Sequence, residues 1–413
     1  MNSVPEIRSV RQWGPKTCEV SVQSDEMEPA SRPVLIVTIF REVGTTGVHT
    51  HFQQFRSYLE QCDTEVTVIT PFSWNWLLAY LVFGPRLALR YLHRPASVLW
   101  YRHWHQVFLY LALRRQLAGV GACVIYAQGP LEAGAALRAR RGPHQRVVMA
   151  VHFRSSQADE HSEPGREIKR DGVIYRTIRQ AEREVILQVQ GIIYVSKWAR
   201  DALLNWLPEA AEIPFAVIGN AVRPWVAKDR VEPLADIVTV GRLDTPKNHR
   251  FLLEVLAEAK RGGRCLTLDI YGDGPLRNEL ARQISSLRLE GQVRLQGFRR
   301  DVRDFLPGYR AYVHASYLET SSFAIIEAMA AGLPIIAGRI GGVAEIVEDG
   351  AEGRFWPVDD PVRATAILLE FLDSGPKLEK AAIAARDRFH REFDINTVGA
   401  QMSSFLFGKA RDR

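Results

Sequence analysis

Residues 316–350, SYLETSSFAIIEAMAAGLPIIAGRIGGVAEIVEDG, are the stretch around which the rest of this chain is organised. Apolar residues recur every three or four positions in its middle part, which predicts a helix. Ser321 or Ser322 is placed to cap this helix, and Gly332 followed by Pro334 ends it. A short apolar strand, a double-glycine turn and the start of a second helix follow. The segment therefore predicts an αβ unit.

Two carboxylates distinguish this unit. Glu319 lies in the loop just before the predicted helix, and Glu327 lies on its second turn. A helix N-terminus presents unpaired amide groups and a partial positive charge, which suits a diphosphate. One carboxylate would then reach a sugar while the other reaches a ribose. The alternative is an ordinary αβ unit whose glutamates lie on the surface.

An upstream segment has the layout of a strand, a glycine turn and a helix. Residues 237–259 read IVTVGRLDTPKNHRFLLEVLAEA. An apolar strand leads into the turn at Gly241 and Arg242, and Lys247 precedes an amphipathic helix. This order places two cations close to one strand end, where they can converge on the same ligand.

A further strand and glycine turn come next, in residues 266–280, LTLDIYGDGPLRNEL, with glycines at Gly272 and Gly274. In this order the motifs resemble those of the family-4 retaining glycosyltransferases of the GT-B fold. The donor half of that family carries the same series of GRL with a lysine, GxGP, and two glutamates separated by seven residues. The resemblance spans roughly residues 34–395. It implies an α/β protein with two Rossmann-like domains whose parallel sheets face each other across a cleft.

The resemblance also predicts a division of the chain into domains. We expect a nucleotide-sugar donor domain after an acceptor-side domain, because the motifs quoted above all lie in the second half. The last segment is expected to cross back to the first domain. The predicted parts are a flexible leader at 1–32, the acceptor-side domain at 33–222, a hinge at 223–235, the donor domain at 236–395 and the returning segment at 396–413.

Roles for the donor-domain residues follow from the same resemblance. Glu327 is assigned to ribose hydroxyls, and Glu319 to the donor sugar near the reacting carbon. Phe298 lies in the loop where similar enzymes hold the nucleotide base. Residues 320–322, Thr-Ser-Ser, depart from the glycine-containing sequence of the family. Backbone amides there are still expected to contact the sugar, but the donor preference is left open.

The acceptor-side domain carries two candidate features. A continuous apolar run at 34–40, VLIVTIF, predicts a buried parallel strand, followed by a loop with Gly44 and Gly47 and then a helix. Similar enzymes place this loop against the donor diphosphate and the acceptor; the alternative is a tight connection only. His152 ends a second apolar strand. The resemblance implies that this histidine faces the donor sugar. The alternative is a histidine that only caps the end of a strand.

Transfer from a nucleotide sugar requires stabilisation of the departing diphosphate. The common solutions are a divalent cation held by carboxylates, or protein cations and amide groups. No Asp-x-Asp sequence occurs in the chain. Arg242 can grip phosphate oxygens with two hydrogen bonds, and Lys247 adds a point charge; the alternative is that both are ordinary surface cations. We therefore expect no metal and no cofactor, with the nucleotide sugar as a substrate.

The candidate site is thus defined in full. The predicted catalytic residues are Glu319, His152, Arg242 and Lys247. The predicted donor-binding residues are Gly44, Gly47, Gly241, Gly272, Gly274, Phe298, Ser322, Phe323 and Glu327. Two histidine pairs, His49 with His51 and His103 with His105, raise the hypothesis of a metal site. Residues two apart share a face only on a strand, and both regions are predicted to be helical, so no metal site is expected.

A basic and aromatic segment lies in the acceptor-side half. No Asp or Glu occurs between Glu65 and Glu132, and arginines alternate there with tryptophans and tyrosines. Arginine and tryptophan on amphipathic helices suit the interface of an anionic membrane leaflet. We therefore predict that residues 72–115 dock on a membrane. The alternative is that these helices pack the domain and the arginines are solvated. No nucleic-acid partner is expected, because no recognisable nucleic-acid module accompanies the segment.

Composition sets the expected location. The chain has 413 residues, a net charge of +6 and four scattered cysteines without a CxxC pair. Such cysteine usage favours a reduced cytoplasmic compartment. No apolar signal region is found near residue 1, and no run reaches the ~18 apolar residues that span a bilayer. The predicted location is cytoplasmic, peripheral at the inner face of the plasma membrane.

Three functions remain open from the sequence. The first is a retaining, metal-independent glycosyltransferase that moves a hexosyl group from a nucleotide sugar to a lipid-linked glycan or a surface polysaccharide precursor. UDP is slightly favoured over GDP as the nucleotide. The second keeps the catalysis but uses a soluble small-molecule acceptor. The third is a catalytically inactive scaffold that binds nucleotide sugars, against which the presence of both cations and both glutamates argues.

Overall fold

The structure is a computed structural model of the chain. It describes residues 32–42, 44, 46–163, 167–225 and 232–408. The predicted leader lies outside the described residues except for Arg32. Residues 226–231 of the predicted hinge and residues 409–413 of the predicted returning segment also lie outside them.

Six parallel strands form the sheet of the first half. They are β1 Val34–Val37, β2 Val66–Ile69, β3 Cys123–Ala127, β4 Gln145–Val151, β5 Gly191–Tyr194 and β6 Phe215–Val217. Their order across the sheet is β2-β1-β3-β4-β5-β6. All four residues of β1 are buried, as expected of a parallel strand covered on both faces. The strand predicted for 34–40 ends early because the N–H of Ile39 donates to Oε1 of Glu132 at 3.0 Å.

Eight helices of the described residues surround this sheet. They are α1 Gly47–Gln61, α2 Trp76–Phe83, α3 Arg86–Leu92, α4 Arg94–Gln116, α5 Pro130–Ala139, α6 Gln157–Ser162, α7 Val173–Ile186 and α8 Lys197–Leu204. Side chains cap several of them: the Thr46 hydroxyl accepts a hydrogen bond from the His49 N–H at the start of α1, and Asn75 caps α2 in the same way. Such caps satisfy amide groups that a helix leaves unpaired.

The second half repeats the architecture. Its strands are β7 Ala235–Val240, β8 Leu268–Tyr271, β9 Val293–Gly297, β10 Tyr309–His314, β11 Ile335–Gly338 and β12 Gly353–Trp356, in the order β12-β11-β10-β7-β8-β9. Its helices are α9 His249–Arg261, α10 Arg277–Ser286, α11 Val302–Phe305, α12 Phe323–Ala330, α13 Val343–Ile346, α14 Pro361–Asp373 and α15 Gly375–Arg388, and α16 Ile395–Leu406 follows them in the chain. Two parallel six-stranded sheets confirm the predicted α/β pair of Rossmann-like units.

The chain passes between the two halves twice, and the two passages pair with each other. Val222 and Asp394 form a parallel bridge. The Val222 N–H donates to the Phe393 carbonyl at 3.1 Å, and the Ile395 N–H donates to the Val222 carbonyl at 3.1 Å. After this point α16 packs on the first sheet, where an Arg146 nitrogen donates to the Phe405 carbonyl at 2.9 Å. The last described helix therefore belongs to the first half by packing.

The basic and aromatic segment divides into two parts. The long helix α4 is a core element: Arg102, His105 and Phe108 are among its buried residues. The shorter helices α2 and α3 instead present apolar side chains to solvent, including Trp76 at 64% exposure and Tyr91 at 89%. In the described part of the chain, every helix falls short of the length and apolarity needed to span a bilayer.

Candidate active site

Lys247 and Glu319 meet at the centre of the second half. Lys247 ends a short 3₁₀ turn after β7, and Glu319 lies in the loop between β10 and α12. The Nζ atom of Lys247 donates to Oε2 of Glu319 at 2.6 Å. The Nε2 atom of the buried His314, the last residue of β10, lies 3.5 Å from the same oxygen. Two residues predicted as catalytic are therefore ion-paired, with His314 as a third member.

The ionised form of Glu319 is strongly favoured. Burial alone would raise the pKa of this carboxyl group, but the contact with His314 and the charge of Lys247 outweigh burial and lower the pKa to about 2. Burial also lowers the pKa of His314, so its imidazole is neutral at pH 7. The centre thus holds one negative charge and one positive charge.

Three predicted glycines shape the strand ends beneath this centre. A Cβ atom on Gly272, whose φ is +141°, would lie 1.9 Å from the Gly241 carbonyl oxygen. A Cβ atom on Gly274 would lie 2.4 Å from the Leu243 carbonyl oxygen. Only glycine permits such backbone contact and such a φ angle. The stem of Lys247 lies 3.6 Å from the Cβ position of Gly241, an ordinary contact distance.

Arg242 and Phe298 lie on the solvent side of these turns. The Arg242 side chain is 70% exposed, and its Nε atom lies 3.2 Å from Asp244. Phe298 follows β9 directly, and 54% of its surface is exposed. An exposed guanidinium and an exposed ring beside the strand ends are available to a ligand.

The start of α12 has open amide groups. Ser322 is the N-cap residue, as one of the two predicted alternatives, but its side chain makes no capping hydrogen bond. The preceding loop is supported from below by Gly341 and Gly342: Cβ atoms there would lie 2.1 Å from the Glu319 carbonyl oxygen and 1.9 Å from that of Thr320. A side chain at either glycine would clash with this backbone, so the two glycines allow the loop that carries Glu319 to pack closely against the turn.

Glu327 lies on the second turn of α12. Burial raises the pKa of this carboxyl group, and the charge of Arg303 opposes the effect only in part. A half-buried carboxyl group on the helix beside the open amides can accept hydrogen bonds from ligand hydroxyls.

The glycine loop of the first half reaches the second half. A Cβ atom on Gly47 would lie 3.7 Å from the ring of Phe323, the first residue of α12. A Cβ atom on Gly44 would lie 2.3 Å from the ring of His49, whose Nε2 lies 2.6 Å from the Arg41 carbonyl oxygen. His49 therefore holds the loop through its contact with Arg41, and the loop approaches the start of α12.

His152 faces the same place from the end of β4. Its Nε2 atom lies 3.1 Å from Oε1 of Gln128, and burial holds the pKa of its imidazole well below the usual range. The Thr320 hydroxyl donates to the His152 carbonyl oxygen at 3.3 Å. A neutral histidine of the first half is thus tied to the loop that carries Glu319.

Asn220 makes a second contact between the halves, and it was not among the predicted site residues. Its amide nitrogen donates to the Ser321 carbonyl at 3.1 Å, and its oxygen lies 3.0 Å from Nδ1 of His51. His51 in turn contacts the Tyr126 hydroxyl at 2.8 Å and the ring of His152 edge-on. Burial lowers the pKa of His51 to about 4. Asn220 is the polar side chain of residues 216–222, AVIGNAV, which follow and overlap β6, and the sequence assigned it no role.

The histidine pairs do not converge on a common point. His49 and His51 have different hydrogen-bond partners, and His105 is buried whereas His103 is exposed. Within the ranges that the structure describes, no group of three or more His, Cys, Asp or Glu side chains could hold a metal ion.

Cations, open amide groups and carboxylates thus line a place where two Rossmann-like units meet. Cations and free amides stabilise a departing phosphate group. Carboxylates beside them accept hydrogen bonds from hydroxyl groups. This combination is typical of enzymes that bind a nucleotide-linked substrate between two domains and transfer a group from its diphosphate.

Comparison with known proteins identifies the family. The first half, residues 45–225, matches the model described as Glycosyltransferase Family 4, and residues 235–374 match the model described as Glycosyl transferases group 1. The chain therefore belongs to the family-4, group 1 glycosyltransferases of the GT-B fold.

Individual relatives are more distant. The chain is 27% identical over 187 residues to the amylovoran biosynthesis glycosyltransferase AmsK of Erwinia amylovora, covering 43% of this chain and 46% of that protein. It is 27% identical over 250 residues to the glycogen synthase of Mycobacterium tuberculosis, covering 59% and 60%. The chain thus spans about half the length of these curated relatives.

Solved structures share the fold. The structure of Anabaena Alr3699/HepE in complex with UDP superposes with a TM-score of 0.66 at 18% identity, covering 91% of this chain and all of that one. A sucrose-phosphate synthase from Thermosynechococcus elongatus gives a TM-score of 0.70 at 16% identity, covering 92% and 100%. These likenesses extend over both Rossmann-like units.

Proposed function

We propose that this protein is a retaining, metal-independent glycosyltransferase that moves a hexosyl group from a UDP- or GDP-sugar to a lipid-linked glycan or surface polysaccharide precursor. The observation that carries the proposal is the pairing of Lys247 with Glu319 beside the open end of α12, opposite His152. Relatives named for amylovoran and glycogen synthesis support a glycan acceptor. The UDP complex of HepE favours UDP as the first nucleotide to test.

The donor diphosphate is proposed to lie between the cations and the helix. Arg242 and Lys247 bind its oxygens, and the first amide groups of α12 complete the contact. Phe298 packs on the base and Glu327 accepts hydrogen bonds from the ribose. Glu319 keeps one oxygen on Lys247 while the other accepts a hydrogen bond from the donor sugar.

The proposed transfer step retains configuration. The bond between the anomeric carbon and the diphosphate oxygen breaks, and its electron pair leaves with the diphosphate. The acceptor hydroxyl oxygen bonds to the same face of that carbon, and its proton passes to the departing diphosphate. Arg242 and Lys247 stabilise the charge that develops on the diphosphate, without a divalent cation. His152 offers the donor sugar a neutral hydrogen-bonding group.

We further propose that the protein works at the cytoplasmic face of the plasma membrane, docked through α2 and α3. Trp76, Leu81 and Tyr91 are exposed at 64%, 65% and 89%, and the exposed Arg90 lies one residue before Tyr91. Apolar rings with adjacent arginines and no acidic residues suit an anionic leaflet. Of the region expected to dock, 72–115, only the part with α2 and α3 is therefore proposed to contact the membrane, because α4 packs against the rest of the first half.

A donor screen tests the enzymatic proposal. Purified protein is incubated with UDP- and GDP-sugars in the presence of EDTA, and ligand binding is followed by thermal shift, since a bound ligand raises apparent stability. Transfer is then measured with lipid-linked and soluble acceptors, and the product anomer is assigned by NMR. Transfer with retained configuration in EDTA is expected. Full activity on soluble acceptors alone would favour the second hypothesis, and nucleotide binding without any transfer would favour the inactive scaffold.

A vesicle assay tests the docking proposal. Binding to phosphatidylglycerol vesicles is expected to exceed binding to phosphatidylcholine vesicles and to weaken with salt. The double variant Trp76→Ala/Leu81→Ala should lose most of this binding. Val362→Ala is the matched control, because Val362 is 62% exposed on α14 of the other half. Equal binding by both variants would contradict docking through α2.

A further inference from the structure

Glu345 joins the two halves through its carboxylate. It lies on α13 of the second half, just after the Gly341–Gly342 turn. Oε2 accepts a hydrogen bond from the Lys197 N–H at 2.8 Å, and Oε1 accepts one from the Trp198 N–H at 2.7 Å. Both donors belong to the first turn of α8 in the first half. One side chain thus satisfies two main-chain groups across the cleft.

The recipient helix is arranged for this contact. Ser196 caps α8 by accepting the Ala199 N–H at 3.1 Å, which leaves the preceding amide groups to be satisfied from outside. A carboxylate at a helix N-terminus gains from the partial positive charge there and from charge-assisted hydrogen bonds. A Cβ atom on Gly342 would lie 3.2 Å from Cβ of Ser196, so the two halves are in close contact at this point.

Arg388 of the second half fixes the main chain at Glu345. An Arg388 nitrogen donates to the Glu345 carbonyl at 2.9 Å. The same guanidinium pairs with Glu352 at 3.2 Å and with Glu392 at 3.1 Å, and only 15% of the Arg388 side chain is exposed. Arg388 ends α15, shortly before the chain returns to the first half at Asp394.

The contact is also coupled to the loop that carries Glu319. Gly342 donates its N–H to the Glu319 carbonyl at 3.0 Å, and three residues later Glu345 caps α8. The Thr320 hydroxyl in the same loop donates to the His152 carbonyl. A shift of α8 away from α13 would therefore be accompanied by a shift of His152 relative to the loop.

We propose that Glu345 is a positioning residue for glycosyl transfer. It holds the N-terminal end of α8 against α13 and thereby keeps His152 of the first half opposite Glu319 of the second. The inference rests on the proposed function for the role of these two residues. Glu345 is not a donor ligand in this account, so its loss should slow transfer without weakening the binding of the nucleotide.

Kinetics and nucleotide binding test the role together. Glu345→Ala removes both acceptor oxygens, whereas Glu345→Gln keeps one. We expect kcat to fall about tenfold in Glu345→Ala and about threefold in Glu345→Gln, the size of effect that the loss of a helix cap has on an equilibrium. The Kd for UDP, measured by calorimetry, should stay within about twofold. The matched control is Glu348→Ala, which removes an exposed glutamate three residues away.

The distance between the two halves tests the contact of Glu345 with α8 independently of enzymatic activity. Cys62 in the first half and Cys265 in the second are exposed, whereas Cys123 is buried. Spin labels on the two exposed cysteines, in a Cys18→Ser background, report the separation of the halves with UDP bound. A broader or longer distance distribution in Glu345→Ala than in the parent and in Glu348→Ala is expected.

Unchanged kcat together with an unchanged distance distribution would overturn the proposal. A loss of UDP affinity as large as the loss of kcat would also overturn it, since it indicates damage to the donor site. If the parent protein transfers no sugar at all, the proposed function fails. The spin-label distances then still decide whether Glu345 holds the two halves together.

Discussion

Replacing Glu319 with glutamine tests the ion pair at the centre of the site. Glutamine keeps the size and a hydrogen-bonding oxygen but removes the negative charge that lies 2.6 Å from Lys247. One pKa unit corresponds to about 1.36 kcal/mol. A carboxyl group whose pKa falls from 4.5 to about 2 therefore contributes about 3 kcal/mol to folding. Lys247 keeps 28% of its surface exposed, and solvent screening reduces the expected loss to about 1–3 kcal/mol.

The stability that the Glu319 carboxylate contributes should decrease as the pH falls. The pKa of Glu319 is lowered in the folded protein, so its contribution is present above the unfolded pKa of 4.5 and is lost as the pH falls toward 2. Urea unfolding should show the full difference between parent and Glu319→Gln at about pH 7. At about pH 4 the difference should be smaller by about 1 kcal/mol. The control is Glu348→Gln, an exposed glutamate.

The same variant should separate nucleotide binding from transfer. Removal of a negative charge next to Lys247 should strengthen UDP binding about three- to tenfold, because less repulsion acts on the diphosphate. Transfer should fall about 100-fold, because the donor sugar loses its charged partner. Calorimetry and a product assay measure the two effects. Weaker UDP binding by Glu319→Gln, or equal stability of both proteins at both pH values, would refute the reasoning.

Four further substitutions follow from the described contacts. Glu132→Gln should raise the unfolding free energy by about 3 kcal/mol at pH 8 and by about 1 kcal/mol at pH 5, because burial raises the pKa of Glu132 from 4.5 to about 7 and its ionisation then opposes folding; urea unfolding from about pH 5 to pH 8 measures this, and equal pH profiles would contradict it. Gly272→Ala should cost about 2–4 kcal/mol in thermal or urea unfolding, since its Cβ would meet the Gly241 carbonyl, and a change below about 1 kcal/mol would contradict that contact. Arg242→Ala and Lys247→Ala should each weaken UDP binding about tenfold or more in calorimetry, and unchanged affinity in both would remove the proposed diphosphate contact.

The fold was predictable because its signals are local. Buried parallel strands need continuous apolar runs, and residues 34–40 and 237–240 supply them. Glycine turns after strands marked where the chain reverses, as at Gly272 and Gly274. The same reasoning predicted a strand as far as Phe40. It ended at Val37: the Thr38 N–H still donates to the Ile69 carbonyl, but the Ile39 N–H donates to Glu132, 93 residues away in sequence, and not to a strand.

The contacts of the site were less accessible to sequence reasoning. Lys247 and Glu319 were both predicted, but their partners were expected to be the diphosphate and the sugar. The ion pair between them joins residues 72 apart in sequence, so no local pattern indicates it. Glu345 likewise acts on main-chain groups of Trp198, 147 residues away. Such pairs become visible only when the topology brings the strand ends together.

The basic and aromatic segment shows a different limit. From composition alone, residues 72–115 were predicted to form one membrane-docking surface. The structure buries Arg102 and Phe108 on α4, while Trp76 and Tyr91 remain exposed. Aromatic and arginine side chains serve both packing and surfaces. Their number in a segment therefore does not tell which of them face inward.

A crystal structure of this protein with bound UDP shows directly where the diphosphate is held. We expect the pyrophosphate oxygens to lie within hydrogen-bond distance of Arg242, of Lys247 and of the first amide groups of α12, with no divalent cation between them. A UDP molecule whose pyrophosphate is held elsewhere, or through a metal ion bound by carboxylates, would contradict this expectation.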